Sequence, residues 1–174
     1  MSTSDSKLLP RRRFRPSVVI LVAAVLATAA QAMIIEMSLP ELVGNSELVV
    51  AGEVTGTSCR WSDSDRGLIV TDVVIEVQET WMGAYDSSQI LVTTAGGEIG
   101  DLGLYVEDQP RFKSGRSVVV FLSPANRRGE RVVTNLYHGA YTIREGRVTE
   151  TGESAAAFRS RIDHVVRARE QEER

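Results

Sequence analysis

Residues 68–80, LIVTDVVIEVQET, decide the reading of the fold. Ile69, Val73, Ile75 and Val77 fall on one side of an extended chain, and Asp72, Glu76 and Gln78 fall on the other. Successive side chains of a strand point to opposite faces, so this period of two predicts a strand with one buried and one wetted face. Trp81-Met82-Gly83 closes it.

The neighbouring stretches repeat the pattern. Residues 47–57 predict a long strand with Leu48, Val50, Gly52 and Val54 on one face. Gly52 and Gly56 mark a bend or bulge of the kind a coiling barrel uses. Between these two strands, residues 59–67, CRWSDSDRG, are polar and turn-forming and predict a hairpin loop. Residues 88–94 supply a third strand. Residues 95–110, with glycines at 96, 97, 100 and 103, form an irregular centre. Residues 117–122, SVVVFL, are almost continuously apolar and predict the most buried strand. A turn at residues 126–129 leads to strands over 131–137 and 140–144. Glu145-Gly146 then turns the chain into 147–149.

Helices flank this β region. Ser38 caps a short one whose first turn holds Pro40 and Glu41, and Gly44-Asn45 ends it. Residues 154–172 read as an amphipathic helix with Phe158, Ile162, Val165 and Val166 on a narrow apolar stripe. The fold class is therefore mainly β: a small barrel of five to six strands, with a short N-terminal helix and a C-terminal amphipathic helix. A β-sandwich is the alternative. There is no internal repeat.

The first 32 residues read differently. Arg11-Arg12-Arg13-Phe14-Arg15 precedes an apolar run over 18–30, and Ala30-Gln31-Ala32 follows it. Basic, apolar and small-residue regions in that order predict a signal peptide cleaved after Ala32. At 13 residues, the run falls short of the roughly 20 that span a bilayer, which argues against an uncleaved anchor. Arg15 and Pro16 fit a twin-arginine signal badly, so Sec export is expected. The expected organisation is a signal peptide over 1–32, the barrel over 33–150, and the helix with a charged tail over 151–174. The location is periplasmic or extracellular.

Composition and charge narrow the partners. With 43% hydrophobic and 25% charged residues, the chain has the make-up of a globular domain. Residues 1–32 hold five basic groups and one acid out of 20 and 23, leaving 15 and 22 in the remainder, a balance of −7. Such a domain repels the nucleic-acid backbone and anionic membrane surfaces, so neither is an expected partner. Cys59 is the only cysteine, which excludes an internal disulfide. Its neighbours Arg60 and Ser62 suggest partial exposure; whether it stays free or pairs between molecules is open. No Asn-x-Ser/Thr sequon occurs.

Three stretches carry a resemblance: LVGNSELVVAGEV at 42–54, VTDVVIEVQETWMG at 70–83, and PRFKSGRSVVVFL at 110–122. Together with Gly96-Gly97-Glu98 they resemble a group of uncharacterised exported bacterial proteins. Their order also resembles the OB-fold module of netrin-type domains and tissue inhibitors of metalloproteinases. That resemblance implies a non-enzymatic binding module, with an exported protein such as a protease as partner. Those inhibitors chelate zinc through a disulfide-held N-terminal cysteine. Here the expected mature terminus is Met33-Ile34-Ile35, so their mechanism does not transfer.

Motifs for other chemistry are incomplete. His138 and His164 stand outside any HExxH, H-x-H or Cys/His spacing, and no metal or cofactor is expected. Asp63-Ser64-Asp65 opens like a calcium loop but lacks its closing carboxylate. Residues 96–103, GGEIGDLG, lack the Gly-Lys-Ser/Thr of a phosphate loop and carry two acids. No Gly-x-Ser-x-Gly elbow occurs. Trp61 and Trp81 suit a barrel end or core, or stacking on sugar or peptide. The candidate ligand-binding residues are Gly96, Gly97, Glu98, Asp101, Arg111 and Phe112, on loops of a rigid scaffold. Three functions remain: a protein-binding module, an envelope structural or interaction protein, and a hydrolase using Glu98 and Asp101 as an acid–base pair.

Overall fold

The computed structural model describes residues 37–62, 67–127 and 129–172. In chain order its elements are helix α1 (Leu39–Gly44), strands β1 (Leu48–Trp61), β2 (Ile69–Met82), β3 (Gln89–Ala95), β4 (Gly97–Ile99), β5 (Leu102–Leu104) and β6 (Ser117–Leu122), a 3-10 turn at Leu136–Gly139, strands β7 (Ala140–Arg144) and β8 (Arg147–Val148), and helix α2 (Ala155–Glu172). Six strands form one antiparallel sheet in the order β3-β2-β1-β6-β7-β8, and β4 pairs with β5 in a separate hairpin. The protein is mainly β, and this sheet is open. The expected signal peptide lies outside the described residues, as do Asp63, Ser64 and Asp65 of the calcium-like loop.

Each helix forms for a local reason. Ser38 and Glu41 make a reciprocal capping box: the Ser38 N–H donates to Glu41 Oε2 at 2.9 Å, and the Glu41 N–H donates to Ser38 Oγ at 3.4 Å. Ser38 also holds the Glu41 carboxyl below its ordinary range, because its hydroxyl and then its backbone N–H bond the ionised form. At α2, Ser154 Oγ accepts from the Ala157 N–H at 3.1 Å. Phe158 and Ile162 of the apolar stripe are fully buried, and Val165 and Val166 pack beside them.

Strand β6 and the first half of β1, residues 48–54, are buried on both faces. Leu48, Val50, Val54, Val118, Val120 and Leu122 join Val73, Ile75, Ile90 and Val92 in one core. The intervening Val49, Ala51, Val119 and Phe121 meet Leu42, Val43, Phe158 and Ile162 in a second core beneath the helices. A strand covered on both faces is apolar throughout, which explains the SVVVFL run. Phe158 docks α2 among aromatic rings, with centroids 6.3 Å from Trp81, 6.4 Å from Phe121 and 4.7 Å from Tyr141.

Gly52 is where β1 bends. The β1–β2 register shifts between Ala51 and Gly52, and a Cβ at Gly52 would sit 2.1 Å from the Glu76 carbonyl oxygen. No side chain fits there, so the bulge requires glycine.

Three local expectations need correction. Cys59, Arg60 and Trp61 belong to β1, paired with Thr71, Val70 and Ile69, so the hairpin loop is shorter than residues 59–67. Polar residues can extend a strand when its partner supplies the ladder. The stretch 131–137 is not a strand but makes single bridges, Val92 with Arg131 and Leu122 with Val133, before the 3-10 turn. Asn135 and Leu136 both adopt positive φ, at 54° and 58°, which ends extended structure. The irregular centre at 95–110 contains the β4–β5 hairpin, whose glycines had masked it.

Candidate functional site

Gly96 and Gly97 join β3 to β4 with φ values of 97° and 141°. At Gly97 the need for glycine is also steric: a Cβ would lie 2.6 Å from Cys59 Sγ and 2.7 Å from Thr71 Oγ1. The Thr71 hydroxyl donates to the Gly96 carbonyl at 2.7 Å, and the Gly96 N–H donates to the Ile69 carbonyl at 2.8 Å. These bonds press the β3–β4 junction onto the sheet. Cys59 itself is exposed, with Sγ 3.4 Å from Thr71 Oγ1.

The junction borders a hollow of about 280 Å³ that brings Gly96 and Gly97 together with Arg111 and Phe112. Tyr105 stands on its rim, 71% exposed, and the Arg111 guanidinium lies 4.8 Å from its ring centroid. Phe112 packs its ring against the first core, and Gln109 Oε1 accepts from the Ala95 N–H at 3.3 Å, tying the loop to β3. A second hollow of about 220 Å³ lies across the same loop and is lined by Phe112, Tyr137 and Tyr141. The Tyr137 N–H donates to the Asp108 carbonyl at 2.9 Å, which holds the two sides together.

Glu98 and Asp101 are exposed and do not line the hollow, so four of the six sequence candidates converge and these two do not. Among the described residues, no three His, Cys, Asp or Glu side chains gather as a metal site requires. His164 is exposed on α2, and His138 lies in the 3-10 turn with its ring 3.9 Å from that of Tyr137.

Tyr105 and Tyr137 were not among the sequence candidates. Their signal was faint: an aromatic residue beside glycine-rich loop sequence, where a core position would not be expected. Arg60 forms a separate polar cluster, with Nε 2.6 Å from Asp72 and Nη2 2.5 Å from Glu130, while the Thr93 hydroxyl donates to Asp72 at 2.9 Å. Asp72 foremost, and then Glu130, hold the Arg60 guanidinium above its ordinary range against the opposing effect of desolvation. This cluster ties Glu130 to β1 and β2.

No known protein-family model matches this chain, and no curated protein matches it.

Proposed function

We propose that the chain is an exported, non-enzymatic domain that binds a protein through the surface around Tyr105. The observation that carries this reading is the exposed Tyr105 ring under the Arg111 guanidinium, beside Phe112 and a hollow floored by glycine backbone. Tyrosine and arginine offer large contact area together with hydrogen-bonding ends, and they are over-represented where binding energy concentrates. Gly96, Gly97, Arg111 and Phe112 shape the site; Glu98 and Asp101 lie on the hairpin beside it. Glu98 and Asp101 do not face the hollow, which weighs against an acid–base pair acting there.

The finer fold belongs to the same reading: an OB-like barrel similar to netrin-type modules. The single bridges of Arg131 to Val92 and Val133 to Leu122 support it, since they would join the two sides of the sheet around the first core. The Thr93 N–H, 2.8 Å from the Arg131 carbonyl, should then exchange with solvent as slowly as the amides of β6. Rapid exchange would leave the sheet open. Export rests on the basic, apolar and Ala30-Gln31-Ala32 regions, and Met33 at the terminus of the secreted protein would verify it.

The binding reading is tested by capture from spent medium and envelope extract. A protein retained by the wild type and lost with Tyr105→Asp, at unchanged circular dichroism, supports it. Equal retention by both would remove the Tyr105 surface from consideration. No retained protein, with material remaining in envelope fractions, would favour a structural role.

A further inference from the structure

Four cationic side chains gather where β6 begins. Ser117 stands opposite Ile143 and Val118 opposite Thr142, so one further step of the same register sets Arg116 beside Arg144. Arg144 in turn stands opposite Arg147 across the Glu145-Gly146 turn. Like charges directly opposed in an antiparallel pair work against folding, yet three neighbouring strands here bring three arginines into line.

Arg116 and Arg144 line a hollow of about 210 Å³ with Arg111 and Lys113 from the preceding loop. Phe112 and Val118 form its apolar part, Thr142 contributes a hydroxyl, and among the described residues no carboxylate lines it. All four cations are exposed. Among the described residues, no carboxylate bridges to Lys113, Arg116 or Arg144. Arg111 stacks on Tyr105, and Arg147 is engaged with the Gly152 carbonyl. Glu150, which lines the adjoining hollow, is held by the Thr142 N–H at 3.0 Å. The cluster is thus uncompensated in a chain whose formal charge is −3.

We propose that Arg111, Lys113, Arg116 and Arg144 form a binding site for a dianionic oxyanion of the phosphate-monoester class. The guanidiniums of Arg116 and Arg144, which line one hollow, would supply two donor forks for the oxygens of one such group. Lys113 adds a compact charge, and Arg111 closes the rim. Phe112 and Val118 offer apolar surface to the carbon side of an ester. A bound dianion neutralises the repulsion between the opposed arginines, so binding and stability are coupled. A free phosphomonoester and the headgroup of phosphatidic acid present the same chemistry. The site shares Arg111 and Phe112 with the Tyr105 groove but does not depend on that groove holding a protein.

Calorimetry and thermal melts of the purified protein with inorganic phosphate, at low salt and free of other oxyanions, test the site. Flotation with phosphatidylcholine vesicles, with and without phosphatidic acid, tests the lipid source. Phosphate should raise the melting temperature of the wild type saturably. Arg144→Gln and Arg116→Gln should each bind roughly tenfold more weakly, the loss expected for one charge-assisted hydrogen bond. Arg167→Gln, on an exposed part of α2, should bind as the wild type does. Without phosphate, Arg144→Gln should melt no lower than the wild type, because a like-charge contact is gone; a purely structural arginine would show the reverse. Should Arg144→Gln fold poorly, Arg144→Lys and Arg116→Gln carry the comparison. Phosphate binding without flotation assigns the site to free esters, and flotation lost with Arg144→Gln assigns it to the headgroup. Absence of both phosphate binding and flotation, or responses unchanged in both glutamine variants, would overturn the proposal.

Discussion

Replacing Phe158 by alanine should remove a large part of the domain's stability. The side chain is 1% exposed and packed against the rings of Trp81, Phe121 and Tyr141. Deleting a buried phenylalanine costs about 3–5 kcal/mol, because transfer energy is lost and a cavity remains. Against a whole-domain margin of about 5–15 kcal/mol, that is a substantial fraction. At about 3–5 °C per kcal/mol for a domain of this size, the melting temperature should fall by about 9–25 °C. Urea unfolding followed by tryptophan fluorescence is the direct assay, since the Trp81 ring lies 6.3 Å from Phe158 and reports the same core. An unchanged m-value with a lower midpoint would show that helix and sheet still unfold together. A loss below about 1 kcal/mol would refute the reasoning, since the packing would then not be carrying the second core. A reduced m-value with the sheet signal intact would refute it differently, by showing that α2 comes away alone.

Three further outcomes follow from single positions. Val120 is fully buried in the middle of β6, so Val120→Asp should abolish soluble expression; a burial this complete leaves a carboxylate unpaired at a cost of several kcal/mol, and normal yield would contradict the strand's central place. Gly97→Ala should lower the urea midpoint and disturb the β3–β4 junction, because its φ of 141° and the 2.6 Å approach to Cys59 Sγ both exclude a Cβ; an unchanged midpoint and unchanged amide shifts near Thr71 would show that the junction relaxes freely. The lowered Glu41 pKa means that its capping interaction is fully present above the ordinary carboxylate value and is lost as pH falls through the folded value; nuclear magnetic resonance titration should show Ser38→Ala raising the Glu41 midpoint part of the way to the ordinary range, the backbone N–H bond being kept, and an unmoved midpoint would remove the Ser38 hydroxyl as the main cause.

What the sequence made legible was governed by short-range rules. The alternation of Val73, Ile75 and Val77, the apolar run of 117–122, and the Ser38–Glu41 cap each act over a few residues, and each element is present in the structure. The failures were tertiary. Cys59, Arg60 and Trp61 open a polar, turn-forming stretch, but the partner β2 extends the ladder through them. The stretch 131–137 has strand-like residues, yet positive φ at Asn135 and Leu136 turns it away. At the site, the glycines at 96 and 97 were conspicuous because tight backbone approach excludes most other residues. Tyr105, Tyr137 and the opposed pair Arg116 and Arg144 were not, because their significance arises only when distant segments are set side by side. Net charge is silent there too: a sum over the chain cannot display four cations on one patch.

The two-sided burial of β6 and of the first half of β1 imposes an order on assembly. Everything needed to hydrogen-bond the six-stranded sheet is in the chain by Val148, but Val49, Val119 and Phe121 wait for Phe158 and Ile162 to cover them. Until α2 arrives, a nascent molecule displays a sheet whose ladder is complete and whose outer surface is still greasy. That interval is one in which self-association competes with folding, and a chaperone or an unfolded transit state would shorten or avoid it. Mutations that slow the docking of α2 should therefore reduce yield more than their effect on the finished domain's stability would suggest.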